Sequence, residues 1–412
     1  MSIVKRKTLK NASNVIKDDS GVTVKTAMKL IADSQYHEEV MEIFKIKDYE
    51  NDFIEIKGAD TLVKLLIEAD KECVKFDIDS ELSNVNISKF TSENELILEI
   101  ANITDIETLE TTRTDMLLAE STYSVKSEYL NDMYQIEKYM DFCLKHSYTD
   151  IIDKNLEMLQ VKNKENKKSK KFRILKREDG KFFVRAITSV ETYKDYNLCF
   201  SLFITLIELH KLIKHKSHSY KLESFSITES DLKVVFKSNK THTISKDVQI
   251  GFALELINDE IRRDAVKING IFSVIFDKTE IYVKPDETKA NIISVNHGVG
   301  IPKLKERLGN LSEQINSFIE DTLDDAKQIK IINNPDLFRE HLVFKLQYSR
   351  NVEFNKLYKA QIQKLLSNKV KTIFELSDIF NKVDVLIKDE HIDSLDFWRF
   401  KLYQVLLDGV KS

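Results

Sequence analysis

Nine glycines and three prolines in 412 residues leave this chain few places to turn sharply. An average chain of that length carries about four times as many of the two together. All three prolines, Pro285, Pro302 and Pro335, fall in the last third. A chain so poor in breakers must be built from long elements, and its wealth of Lys, Glu, Ile and Leu favours helices. Its length predicts two domains or three. The 42% hydrophobic content is enough for ordinary packed cores.

The longest apolar stretch, residues 198–209, holds about a dozen residues where a bilayer needs roughly 20. It reads as a buried helix, and no membrane association is expected. The N-terminus is basic with no apolar core behind it, so no secretory signal is expected and the protein is placed in the cytoplasm. Cys73, Cys143 and Cys199 lie far apart, two of them between apolar neighbours, and no CxxC pair exists. Buried thiols are expected, with no disulfide and no cysteine metal site.

Periodicity predicts one or two amphipathic helices over residues 21–50 and short strands at 53–57, 74–78 and 95–100, with a helix at 60–70. Residues 105–160 read as helical. Strands follow at 172–176, 181–187, 224–227, 232–236, 248–256, 265–276, 280–283 and 291–295, with a helix at 197–214. Beyond Pro302 the pattern turns helical at 303–329, 353–366, 372–381 and 392–407. Strands cluster instead of alternating with helices, which makes the class α+β. The expected layout is a mixed α/β and helical N-terminal domain (1–160), a basic linker (161–171), a strand-rich α+β domain (172–300) and a helical C-terminal region (301–412).

Charge marks the same boundary. Residues 1–160 carry a net −13 and residues 161–250 a net +10. Residues 161–177, VKNKENKKSKKFRILKR, hold nine basic residues and one acid. The bland reading is a solvated linker, or two surfaces that dock. The functional reading is a phosphate-contacting segment made of Lys162, Lys164, Lys167, Lys168, Lys170, Lys171, Arg173, Lys176 and Arg177. Phe172 and Phe182 lie close enough in sequence to stack on bases, or they belong to a core.

Other clusters are weaker. His210, His215 and His218 are spaced by five and three, so a helix does not bring all three to one face. Lys211, Lys214, Lys216 and Lys221 around them favour phosphate over a dication. The expected role is a solvated basic helix end. Acid pairs such as Asp77/Asp79 and Asp324/Asp325, or Glu280, Lys284, Asp286 and Glu287, loosely suit a Mg²⁺ nuclease, but 67 acids produce such groupings by chance. No nucleophile motif is present, and no cofactor or metal is expected.

The segment from Val295 to Pro302, VNHGVGIP, is similar to the Asp-x-Gly-x-Gly-Ile loop of the histidine-kinase and heat-shock-chaperone type of ATPase. Asn296 stands where the adenine-binding Asp would be, and no glycine-rich lid follows. No ATP binding is expected. The alternative is a strand-to-helix turn whose Gly298 and Gly300 take unusual φ. More broadly, residues 184–197, 224–236, 248–274 and 293–300 resemble phage- and plasmid-encoded proteins of unknown function. That resemblance implies a mobile-element origin, a host cytoplasm and work around element DNA or host conflict.

Three functions remain open from the sequence. One is a non-enzymatic nucleic-acid-associated protein, with DNA favoured over RNA. The second is a metal-dependent nuclease with unidentified carboxylates. The third is a host-protein-binding inhibitor acting through the acidic N-terminal half.

Overall fold

A computed structural model describes residues 8–13, 20–101, 103, 116–132, 134–215, 218–246, 248–261, 266–276, 279–327, 334–387 and 392–407. Among them the strands are β1 (Thr8–Ser13), β2 (Val22–Thr23), β3 (Phe53–Ile54), β4 (Val74–Glu81) and β5 (Val85–Phe90). Next come β6 (Leu96–Ala101), β7 (Met116–Ser121), β8 (Ser169–Lys176), β9 (Phe182–Thr188) and β10 (Tyr220–Thr228). The last are β11 (Asp231–Ser245), β12 (Val248–Asp259), β13 (Val266–Phe276), β14 (Thr279–Val283) and β15 (Asn291–Val295). With the helices around them, they make an α+β protein.

The chain divides into two compact units, and not at the basic run. One is built from Ile67–Asp195 with Glu260 and Ile261. The other contains the described residues of Thr8–Leu66, of Tyr196–Asp259 and of the chain from residue 266 on. The acidic stretch 1–160 is therefore shared between two units and is not one body. Residues 161–171 connect nothing across a boundary. They run from the end of helix Thr149–Asn163 through a turn into β8.

In the first unit a six-stranded sheet has the order β4-β8-β9-β7-β6-β5. Every pairing is antiparallel except β7 with β9. One face alternates inward with Phe76, Ile78, Leu98, Leu117, Phe172, Ile174, Val184 and Ile187. Helices Glu137–Lys145 and Thr149–Asn163 add Met140, Cys143, Ile152 and Leu156 to that core. Each such side chain contributes about 1.5–3 kcal/mol by leaving water. The expected helix over 105–160 is corrected here in part. Met116–Ser121 is a strand whose Leu117, Ala119 and Ser121 face inward with the period of two of a strand. Residues 104–115 lie outside the described residues.

The second unit is organised on a sheet of order β1-β10-β11-β12-β13-β14, all antiparallel. β15 pairs with the other end of β13. Helix Leu198–Lys214, capped by the Asn197 side chain on the Phe200 amide, is buried on nearly every side, as the apolar run predicts. The helices after Pro302 are Ile301–Gly309, Leu311–Ala326, Pro335–Gln347, Val352–Leu357, Lys359–Leu365, Ile373–Leu386 and Ile392–Leu406. Over 21–50, where one or two helices are expected, stand two short α-helices, Val24–Ala27 and His37–Ile43, with 3-10 turns at Met28–Ile31 and Ile46–Asp48. Cys73, Cys143 and Cys199 are buried, and none forms a disulfide. No described helix is long and apolar enough to cross a membrane.

Gly270 on β13 lies under Phe318 of helix Leu311–Ala326. A Cβ at this position would sit 2.4 Å from the Phe318 ring. Gly270→Ala therefore forces the helix off the sheet and is expected to cost about 1–3 kcal/mol. The midpoint of urea unfolding reads that loss. A midpoint equal to wild type would show that the ring has room to move.

Candidate nucleic-acid interface

The basic run separates into two structurally different halves. Lys162 ends helix Thr149–Asn163, and Lys164, Lys167 and Lys168 occupy the turn that follows. All four side chains are exposed, and none makes an ion pair with a described residue. The turn is not a solvated linker. Asn166 N–H donates to the Asn163 carbonyl at 2.8 Å, and the Lys168 amide donates to the Asn166 side chain at 3.2 Å. The carbonyls of Asn166 and Lys168 accept from the amides of Ser83 and Leu82, both at 3.0 Å. Four ammonium groups thus project from a backbone that is already fixed.

In the second half, β8 alternates between two environments. Phe172 is fully buried in the apolar core and is not available to a base. Phe182 is half-buried at the edge of the same core, edge-to-face on Phe76, with the Lys176 ammonium 5.5 Å from its ring centroid. Arg177 covers Phe183 at 4.3 Å. Lys170 is half-buried. Lys171 bridges to Asp79 at 2.9 Å and Asp77 at 3.9 Å. Arg173 is 1% exposed and belongs to an internal ionic cluster on the opposite face of the sheet.

Glu260 lies at the centre of that cluster. Its carboxylate accepts from Arg185 and from Lys75, the latter at 3.1 Å. Arg173 donates to the Glu260 carbonyl at 2.6 Å, to Asp195 at 2.6 Å and to Asp77 at 3.2 Å, and it also meets the Tyr193 hydroxyl. Burial by itself would raise the Glu260 carboxyl. Lys75, Arg185 and Arg173 outweigh it and hold the group well below the usual carboxylate range. Burial likewise opposes charge on Arg173, and Asp195, Tyr193, Asp77 and Glu260 keep it charged. Asp77 and Asp79 are thereby committed to Lys171 and Arg173 and are not poised for a metal.

The other sequence candidates are also committed to structure. His210 is buried, with Nε2 2.9 Å from Asp52 Oδ2, an oxygen it shares with Lys214 at 2.8 Å. It is an internal pair and not part of a solvated helix end. His218 is buried too, and burial beside Lys240 lowers its pKa. Glu280 accepts from Lys237 and from Ser273. Lys284 sits between Glu255 and Asp396 at 2.7 and 2.8 Å. Asp286 caps the turn Glu287–Ala290. Asp324 and Asp325 pair with Lys327 and Lys289. Among the described residues no three His, Cys, Asp or Glu side chains are placed to hold a metal.

The loop after β15 is a strand-to-helix turn. His297 Nε2 lies 2.9 Å from the Asp259 carbonyl, and the Tyr196 hydroxyl donates to the Val299 carbonyl. Gly300 has an ordinary φ of −75° as the N-cap of helix Ile301–Gly309, and among the described glycines only Gly58 and Gly180 take left-handed φ. The unusual φ expected at Gly298 and Gly300 is absent.

No family model, curated protein or solved structure matches this chain.

Sequence reasoning also missed a group of aromatic residues in the first unit. Tyr139, Phe142 and Tyr148 are 48, 52 and 43% exposed. The Phe142 ring centroid lies 4.5 Å from that of His146 and 6.0 Å from that of Tyr148, and the His146 and Tyr148 rings stack at 5.8 Å. The backbone makes this arrangement. Helix Glu137–Lys145 ends with Ser147 amide on the Leu144 carbonyl at 3.2 Å and Tyr148 amide on the Cys143 carbonyl at 2.9 Å. That is a Schellman closure, and Ser147 holds φ 57° where glycine is usual. The closure turns Tyr148 back onto Phe142.

Proposed function

We propose that the first unit binds the phosphate backbone of nucleic acid through Lys162, Lys164, Lys167 and Lys168, without catalysing a reaction on it. The observation that carries this reading is four exposed lysines within seven residues, unpaired with any described residue, on a hydrogen-bonded turn. Charges held this way attract a polyanion and release its counterions. Lys170 lies at the margin, and the mobile-element resemblance favours phage or plasmid DNA as the target. Phe172, Arg173 and Lys171 have no part in the contact, because they are buried or paired. Among the described residues no arrangement of carboxylates supports the nuclease reading. The host-protein reading loses its acidic half, which two units share.

Four neutralised phosphates give a slope of log K against log salt of about −3 to −4. Fluorescence anisotropy across a salt series measures it. Replacing the four lysines by Ala is expected to weaken binding and bring the slope toward zero, with the far-ultraviolet circular dichroism unchanged. Binding by the quadruple variant with the wild-type slope would sink the proposal.

A further inference from the structure

We infer that Phe142, His146 and Tyr148 form a stacking platform for bases, so that the preferred ligand is a single strand. The inference rests on the phosphate-binding reading above and deepens it. Three rings in mutual contact, each open to solvent, are costly to leave wet and offer π-faces that every base can use. They are placed by a closure that holds Ser147 in a conformation serine avoids, which keeps Tyr148 beside Phe142 and His146 instead of letting it turn away.

The charge around the platform selects the occupant. Tyr148 precedes helix Thr149–Asn163, and the lysine turn follows the helix. Fifteen helical residues span about 22 Å. That is about six nucleotides at the duplex rise of 3.4 Å per strand, and fewer for an extended strand. Along the exposed side, Lys154, Met158 and Lys162 recur at i, i+4 and i+8 and form one stripe. Asp150 begins that same stripe at i−4 from Lys154, and Asp153 and Glu157 fall on the neighbouring one. A polyanion therefore has a cationic path from the lysine turn along the helix as far as Lys154, and at the platform the exposed Lys138 and Lys145 lie one helical turn on either side of Phe142. A duplex, whose bases are already stacked on each other, gains nothing from the rings.

The test uses the full chain with a labelled oligothymidine of about a dozen nucleotides and the matching duplex. The single strand is expected to bind more tightly than the duplex at equal salt. Phe142→Ala and Tyr148→Ala should each weaken single-strand binding about 5- to 150-fold and leave the salt slope alone, while Tyr148→Phe retains affinity. The lysine variant should show the reverse pattern, a flattened slope with the single-strand preference kept. Aromatic variants that bind like wild type, or a duplex that binds as tightly as the single strand, would overturn the platform while leaving the lysine contact standing. A lysine variant with an unchanged slope would remove the underlying reading instead. A change of mass by light scattering in Phe142→Ala would overturn the inference in favour of an interface between copies of this chain.

Discussion

Glu260→Gln is expected to remove about 3–5 kcal/mol of stability, the usual result of taking one partner from a buried ionic group. The carboxylate is 1% exposed and sits against Arg185 and Lys75, with Arg173 on its own backbone carbonyl. The amide keeps the shape, leaves Arg185 without the carboxylate it meets, and leaves Lys75 with only Asp70, 3.6 Å away. Urea denaturation should show a lower midpoint at an unchanged m-value. The same group sets an acid limit. Its folded pKa lies below the unfolded value of 4.5, so its contribution is complete above that value and is lost as the pH falls toward the folded pKa. Asp70, raised by burial, opposes this slightly, because its ionisation works against folding as the pH rises past 3.8. Wild type should lose stability steeply below about pH 4.5, and the Gln variant should show a shallower slope there. Equal slopes would mean that Glu260 is not the group that titrates.

A chain ending at residue 160 is expected to show no cooperative melting of the first unit. The cut looks natural in the sequence, at the start of the basic run. In the fold it removes β8 and β9, which lie between β4 and β7. β4 then has no partner, β7 keeps only β6, and Phe172, Ile174, Val184 and Ile187 are gone from the core. Differential scanning calorimetry of residues 67–160 tests this. A sharp transition with native-like enthalpy would restore a boundary at 161–171.

The long strands β12 and β13 were legible because apolar residues, many of them β-branched or aromatic, recur along both with no proline between them. The helix of residues 198–214 was legible because nine of the twelve residues at 198–209 are apolar, too many for anything but a buried element. β5 and β7 were missed: each has six residues, and MLLAES suits a helix as well as a strand. The basic run was misread for a related reason. A block of one charge hides a period of two, so Arg173 read as surface and Phe172 stayed open between stacking and core, although β8 sends one into each covered face. The part proposed to contact phosphate is the one that never enters the strand, Lys162 through Lys168. Phe142 gave no warning, because only the helical register of Met140 and Cys143 shows that Phe142 points outward.

The first unit is written into the middle of the second. β1 must wait for β10, which lies about 200 residues downstream. At about 5–20 residues per second, a ribosome leaves that first strand without its partner for about 10–40 s. Glu260 arrives later still, so neither unit is complete while its first strands emerge. For that interval the nascent chain carries unpaired strand edges, and its yield in a cell should depend on whatever shields them.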